Sequence, residues 1–374
     1  MLKSNKKRLL YITFLRIPSE KANSVQIMNT CEALSDYYHI DLVHSKRYFE
    51  KKNIREIYEV KSKDLNIISV FIPKMRFLIR FQRLWFYISL LIFYIMAFLK
   101  LCKSEYDIIF TRDDKLALVF ELLKKIGVVK TPVYYELHDF SPWMKRLKHI
   151  DGYICLTKGI KDRLKKRRSI VLHDAVDYKK YSNEEKKVVV DTSLFKVSYI
   201  GNASTYNLDK GLLNIARAIL NLKDTCMIFV GGPKDVWYKV KRLVKKEERK
   251  SDRFHYIPFV PYNEVACIMK GMDCLVYTPP MNDKLGIFAS PMKIFEYIST
   301  GIPVILSDLP VHREIASECP GVLFCEPDED GVMGAIKRVY EKQDLYREKA
   351  KKNLDIAKEF SWKNRAKKIK EFIG

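Results

Sequence analysis

Short apolar runs recur along the chain, and between most of them apolar positions fall at helical spacing. In the first half the runs are KRLLYITF (7–14), HIDLVHS (39–45), IISVFIP (67–73), YDIIFTRD (106–113), PVYYELHD (132–139) and DGYICLT (151–157). Their length and their β-branched and aromatic content predict strands. Several are apolar throughout, as strands covered on both faces are. Asn23 and Ser24 precede a stretch in which Val25, Met28, Cys31 and Leu34 share one helical stripe, which predicts a helix. The second half repeats the rhythm: strands at 195–201, 225–232, 254–260, 273–279, 302–308 and 321–327, with helices at 210–222, 236–246, 262–272 and 291–300. Strand alternating with helix is the βαβ pattern of parallel α/β sheets.

A polar stretch, SNEEKKVVVD (182–191), interrupts the rhythm. It predicts a first domain over 1–186, a second over 187–356, and a closing helix over 357–374 that carries FSWKNRAKKIKEFIG. The length of 374 residues fits two α/β cores.

Composition changes the picture in two ways. Lys and Arg number 68 against 45 Asp and Glu, a net charge of +23, which implies an anionic partner: nucleic acid, an anionic membrane surface or a phosphorylated substrate. Basic runs such as Lys165–Arg168 come without an RNA-recognition or helix-turn-helix signature, so no nucleic-acid partner is expected. The eight cysteines form no CxxC pair and sit mostly in apolar runs, so they read as small buried hydrophobes in a reducing compartment. Residues 9–14 are too short an apolar run for a secretory signal and read as a first strand.

Residues 84–99 (LWFYISLLIFYIMAFL) are almost wholly apolar, between Arg76, Arg80 and Arg83 on one side and Lys100 and Lys103 on the other. A helix over 76–103 would align Arg76, Arg80, Arg83, Tyr87 and Tyr94 opposite an apolar face, the layout of an interfacial membrane helix. A buried core helix and a spanning helix are the alternatives, and the run is short for a span.

In open parallel sheets ligands gather at the carboxyl ends of the strands. Those positions hold Arg112 and Asp113, Glu136 to Asp139, Gly201 to Lys210, Gly231 and Gly232, and the stretch before 292. Ser290, Pro291, Met292 and Lys293 open a helix whose free N–H groups suit a diphosphate, and Glu296 can accept hydrogen bonds from ribose hydroxyls. Gly201 lets a ligand approach the backbone, and Lys210 can reach phosphate oxygens. No spaced pair of acids follows a strand, so no metal site is expected.

From residue 290 the text SPMKIFEYISTGIPVILSDLPVHREI resembles the donor-site signature of the retaining glycosyltransferases called family four, which have the GT-B fold. RIPSEKANSVQIMNTCEAL, YDIIFTRDD, VYYELHD, YICLTKGIKDRL, VSYIGN, MIFVGGP and the FSW helix agree with it in order, over nearly the whole chain. The resemblance implies two Rossmann-like domains facing across a cleft, with the C-terminal helix crossing back to the first. It implies metal-independent transfer of a sugar, with retention, from a nucleotide-sugar such as a UDP- or GDP-sugar. No cofactor is implied. The acceptor would be a glycan or lipid-linked glycan in cell-surface polysaccharide or glycoconjugate synthesis. Together with 84–99, this gives a cytoplasmic protein peripheral on the inner face of the membrane.

Carried over residue by residue, the resemblance assigns Gly201 and Lys210 to the diphosphate and Glu296 to the ribose. Asn202 stands where a basic residue often follows the glycine. Phe288 stands where the signature often has a first glutamate, and Lys284 and Lys293 are its possible substitutes. Phe259 and Val260 fall near the base. His138, flanked by Glu136 and Asp139, falls on the sugar-facing histidine of the first domain. Three other readings stay open: a basic nucleic-acid-binding protein, another GT-B enzyme such as an epimerase, and a non-catalytic glycosyltransferase-like subunit.

Overall fold

The computed structural model describes residues 6–19, 22–46, 53–72, 82–101, 105–183, 185–205, 208–245 and 252–374. The chain divides into two compact α/β units. Unit 1 comprises residues 1–156, 160–172 and 362–374; unit 2 comprises 157–159 and 173–361.

Unit 1 begins β1 (Arg8–Arg16), α1 (Ala22–Leu34), β2 (His39–Lys46), α2 (Ile54–Ile57), β3 (Leu65–Phe71), α3 (Gln82–Leu101) and β4 (Ile108–Thr111). It continues with α4 (Asp114–Lys125), β5 (Val133–Leu137), β6 (Gly152–Cys155), α5 (Lys158–Leu164), whose first turn is counted with unit 2, and β7 (Ser169–Val171). The seven strands form one parallel sheet in the order β3-β2-β1-β4-β5-β6-β7.

Unit 2 runs α6 (Tyr178–Asn183), β8 (Phe195–Asn202), the short antiparallel pair β9 (Ser204–Thr205) and β10 (Leu208–Asp209), α7 (Leu212–Asn221), β11 (Thr225–Gly232) and α8 (Lys234–Lys245). Then come β12 (Phe254–Ile257), α9 (Tyr262–Lys270), β13 (Cys274–Tyr277), α10 (Met292–Ile298), β14 (Val304–Ser307), α11 (Pro310–Ala316), β15 (Val322–Cys325), α12 (Glu329–Glu341) and α13 (Gln343–Ala357). Its six-stranded parallel sheet has the order β12-β11-β8-β13-β14-β15. In both sheets the first strand sits inside, and strand order reverses beside it, between β1 and β4 and between β8 and β13. A final helix, α14 (Trp362–Ile373), packs on α1 in unit 1.

The apolar runs become strands because helices cover both faces. β13 and β14 are buried at every position, as is β5, whose sequence VYYEL includes a glutamate. Tyr199, Phe229, Ile294, Phe295, Ile305 and Ile336 form part of one continuous core in unit 2. Every cysteine among the described residues is a free thiol, and most are buried.

Three expectations shift. The units part after Leu172 rather than at 187, because Val176 and Tyr181 are buried in the core of unit 2. Strand β12 ends at Ile257, so Phe259 and Val260 lie on the loop beyond it. Described α3 starts at Gln82; Arg76, Arg80 and Lys103 lie outside the described residues. Of the expected basic and tyrosine stripe only Tyr87 and Tyr94 have described side chains, and Tyr87 is exposed. Leu90, Phe93 and Ala97 face inward, while Leu84, Tyr87, Leu91 (58% exposed), Ile95 and Phe98 (68%) line the outer face. The helix is apolar on nearly all sides, so packing one face leaves an apolar face outside. Its outer face is not covered as that of a core helix would be, and among the described residues no helix is long and apolar enough to cross a membrane.

His44 and His312 are buried neutral. His44 lies between Ser69 Oγ (2.9 Å from Nε2) and the Ser45 carbonyl (3.0 Å from Nδ1), and His312 Nδ1 lies 2.8 Å from the Ser307 carbonyl. Burial lowers each pKa from 6.5 to about 4. Between those values the unfolded chain binds more protons than the folded one, so stability is full above pH 6.5 and falls as pH drops toward 4, by on the order of 2–3 kcal/mol per histidine. Urea unfolding is expected to show the midpoint falling from pH 7 to pH 5, with a shallower fall in His44→Gln and His312→Gln. An unchanged pH slope in both variants would contradict this origin.

Candidate functional site

In unit 2 the site grows from the point where β8 leaves its neighbour. β13 pairs with β8 only at Val197 and Ser198, so the last residues of β8 lack a partner on that side. The Tyr297 hydroxyl fills the gap, accepting from Ile200 N at 2.8 Å and donating to Ile200 O at 3.2 Å. Lys293, one turn before it on α10, also donates to Ile200 O. Its ammonium lies 4.5 Å from the centre of the Tyr199 ring, 5.9 Å from Tyr277 and 5.7 Å from Tyr297. Gly201 has φ +118, and a Cβ there would collide with the Lys293 ammonium. Behind it Gly231, with φ +120, faces the Gly201 carbonyl, so Gly231 permits the close approach of the two strands while Gly201 makes room for the lysine.

Lys210 precedes Gly211, the left-handed cap of α7. Burial lowers Lys210 to about 8. Burial and then repulsion from Lys210 bring Lys293 to about 7, against a partial opposing pull from Glu296. Burial raises Glu296 above the usual carboxylate range, with Lys293, a hydrogen bond from Tyr181 and Lys180 opposing. The arrangement is two desolvated ammonium groups, one repelling the other, and one half-buried carboxylate at the carboxyl end of a parallel sheet, where strand order reverses. It suits a multiply charged anion carrying hydroxyl groups.

Ser290 is buried, and its Oγ accepts from Asp174 N at 2.9 Å, which leaves its O–H as a donor. Pro291 and Met292 are half-buried at the start of α10. Lys284 is exposed, at the start of a π-helical turn over Lys284–Phe288, and Phe288 is buried. Asn202 turns its side chain to Ser204 N (2.9 Å). The Phe259 ring is 71% exposed, and Val260 packs on the core.

In unit 1 the carboxyl end of β5 carries Glu136, which is 0% exposed. Its carboxylate accepts three hydrogen bonds. Gln26 Nε2 (2.7 Å) and His138 Nε2 (2.5 Å) reach Oε1; Arg365 Nη2 (3.0 Å) reaches Oε2. Arg112 in turn donates to Gln26 Oε1. Burial alone would raise Glu136; Arg365, the His138 hydrogen bond and Arg112 hold it well below the usual carboxylate range instead. Burial, then Arg112, lowers His138 to about 4, although Glu136 pulls the other way. His138 is therefore neutral, and because ionised Glu136 only accepts, the ring proton sits on Nε2 and Nδ1 is an acceptor. The His138 side chain is 20% exposed.

Neighbouring Asp113 bridges the ends of β4 and β1, accepting from Phe14 N and from Thr13 Oγ1 (3.1 Å). Asp139 is half-buried and accepts from Phe140 N at 2.7 Å. Of the expected trio, His138 and Asp139 keep part of their surface exposed and Glu136 keeps none. Glu136 is corrected to a buried support of His138, because no part of it reaches the surface. Sequence reasoning missed Gln26, Arg365 and the three tyrosines around Lys293. Arg365 carried a readable signal: it falls on the inward stripe of α14 with Trp362, Ala366, Ile369 and Ile373.

Residues 195–342 match the family described as Glycosyl transferases group 1. No curated protein matches the chain in sequence. Among solved structures, HepE of Anabaena in complex with UDP and glucose superposes with a TM-score of 0.70 at 15% identity, covering 98% of this chain and 99% of that one. Sucrose-phosphate synthase from Thermosynechococcus elongatus gives 0.75 at 14% identity, covering 98% of each chain. The lipopolysaccharide outer core galactosyltransferase WaaB in its apo form gives 0.69 at 15%, with 98% and 99% covered. The chain therefore has the GT-B fold, unit 2 carries a group 1 glycosyl transferase domain, and the protein is a glycosyltransferase.

Proposed function

We propose that the protein transfers a sugar, with retention of anomeric configuration, from a nucleoside diphosphate sugar to a glycan or lipid-linked acceptor at a membrane surface. The observation that carries the donor half is the Lys210–Lys293 pair beside Gly201: two repelling, desolvated cations at the rim of a parallel sheet. A diphosphate relieves that repulsion and restores full charge to both amines. Lys293 in this reading supplies the second phosphate contact, where Asn202 cannot. Gly201 admits the phosphate to the backbone, and the Ser290 hydroxyl, with the backbone at Pro291 and Met292, lies beside it. Glu296 accepts from the ribose hydroxyls, and Phe259 and Val260 take the base side. His138 Nδ1 accepts a hydroxyl of the transferred sugar, with Asp139 next to it. Complexes of HepE with UDP and glucose support a uridine donor, with a GDP-sugar as the alternative. Retention rests on the resemblance of residues 290–315 to the family-four signature.

The acceptor half rests on α3. Its outward Leu84, Tyr87, Leu91, Ile95 and Phe98 form an apolar face on a strongly basic chain, and its sequence is flanked by Arg and Lys. An apolar face with basic flanks suits the anionic cytoplasmic leaflet, each nearby cation adding about 1 kcal/mol. The protein is then peripheral on the inner face of the cell membrane, where a lipid-linked acceptor for polysaccharide or glycoconjugate synthesis is at hand.

A thermal-shift panel of UDP-, GDP-, ADP- and dTDP-sugars tests the donor site. One nucleotide class is expected to raise the midpoint, by linkage. Lys293→Met is expected to fold at least as stably as the parent, because a desolvated charge repelled by Lys210 is removed, yet to lose most of the shift. Glu296→Ala should weaken nucleotide binding by about 1–3 kcal/mol. Full binding by folded Lys293→Met and Glu296→Ala would reject the assignment, and binding without transfer to any acceptor would identify a non-catalytic subunit. Membrane contact is read by flotation with phosphatidylserine-containing vesicles. Binding is expected at low salt, to decline as salt rises, and to be lost in Leu91→Asp/Phe98→Asp; equal flotation of that variant rules out α3 as the contact.

A further inference from the structure

We propose that Arg365, on the C-terminal helix α14, is a positioning residue for His138, acting through the buried carboxylate of Glu136; this rests on the reading of His138 above. The geometry is a relay of three side chains. Arg365 Nη2 donates to Glu136 Oε2 at 3.0 Å, and His138 Nε2 donates to Glu136 Oε1 at 2.5 Å. Glu136 has no exposed surface, and Arg365 is buried as well. A carboxylate so placed stays ionised only with a cation against it, since the alternative in a dry interior is to take up a proton. A protonated Glu136 could donate to His138 Nε2, which would move the ring proton to Nδ1 and turn the outward nitrogen from acceptor to donor. The guanidinium thus decides which face of hydrogen-bond chemistry His138 presents.

The placement of Arg365 points the same way. Helix α14 has an inward stripe of Trp362, Arg365, Ala366, Ile369 and Ile373, while Lys363, Lys367, Lys368 and Lys370 are exposed. A cation on the stripe that buries apolar groups costs stability unless it is matched, and a leucine there would pack without that cost. The rest of the helix is fixed independently: Tyr134 Oη donates to Ile373 O at 3.1 Å, and the Tyr134 and Phe372 rings meet at 6.0 Å.

Other charged or titratable groups act on the same point. Arg112, after β4, repels a proton on His138 and lowers Glu136. From β1 and α1, the Tyr11 and Cys31 side chains face Glu136, and burial first, then Glu136, holds both in their neutral forms; Asp113 faces Tyr11 from the β4 side. Gln26 is neutral and bridges Arg112 to Glu136. Arg365 is the cation with a direct hydrogen bond to the carboxylate.

The test is imidazole ¹⁵N NMR of the full chain, with the His138 signal identified by its loss in His138→Gln. In the parent, His138 is expected as the neutral Nε2–H tautomer across pH 5–8. In Arg365→Met, removal of the cation is expected either to raise the His138 titration by a unit or more, if Glu136 stays ionised, or to switch the tautomer, if Glu136 protonates. Arg365→Lys should restore the parent signal in part, and it serves alone if Arg365→Met fails to fold. Turnover, followed as nucleoside diphosphate release from the sugar nucleotide giving the largest thermal shift, should fall tenfold or more in Arg365→Met, with the donor KM within twofold. Unchanged titration and tautomer in a folded Arg365→Met protein overturns the proposal. Normal turnover in His138→Ala rejects instead the reading of His138 as sugar-facing, and with it any catalytic consequence of Arg365.

Discussion

A parallel strand can join its neighbour only if the chain travels back to the same starting edge, and in both units that return is made mostly by helices. The helices cover both faces of each sheet, so the strands must be apolar nearly throughout, and polar chemistry is pushed to the rim where the strands end. Where strand order reverses, the connecting chains leave in opposite directions and the rim opens. In unit 1 that opening holds Thr13, Phe14 and Asp113, with Glu136 and His138 one strand further along. In unit 2 it holds Gly201, Lys210 and Lys293. The early end of β8–β13 pairing is part of the same geometry: it exposes backbone that Tyr297 and Lys293 then satisfy.

The chain handles buried charge in three ways. Arg253 is buried and donates to the carbonyls of Ile219, Leu222 and Thr225, so the C-terminal carbonyls of α7 serve as its counter-dipole. Arg365 is matched by a full negative charge on Glu136. Lys293 is matched least: the charges that act on it are Lys210, which repels it, and Glu296, a carboxylate that is itself pushed toward its neutral form, while Lys210 is depressed by burial. The first two arrangements close on themselves and give rigidity. The third is left electrostatically strained by the protein alone, and the donor site proposed above rests on that strain.

Much of this was legible beforehand, for identifiable reasons. Period-2 and continuous apolar runs mark strands well, and the parallel order follows from the alternation with helices. Lys210, Lys293 and Glu296 could be singled out because they follow strands or open a helix, and structure brings the two lysines into one group. Other features depend on contacts distant in sequence. Glu136 reads as a rim acid from its position after VYY, yet it is buried because Gln26 and Arg365 reach it from α1 and α14. The boundary at 187 followed polarity, whereas the packing of Tyr181 draws earlier residues into the second core. For helix α3, composition cannot say which face of an all-round apolar helix finds a sheet, and only the structure shows Leu90, Phe93 and Ala97 inward.

The Glu136–Arg365 bond spans 229 residues of chain. During synthesis the carboxylate emerges long before its cation, and at about 5–20 residues per second the interval is roughly ten to fifty seconds. Unit 1 therefore cannot bury Glu136 as a paired ion while it is the only unit made. Until α14 arrives, the carboxylate must stay wet or take up a proton, and the groove on α1 that receives the helix stays open. The order of folding is thereby set against the order of synthesis: unit 2, apart from its short segment at 157–159 a continuous stretch of chain, can close first, and the unit that begins the chain is completed after it. A nascent unit 1 with an open, partly apolar surface for that long is a natural client for a holding chaperone.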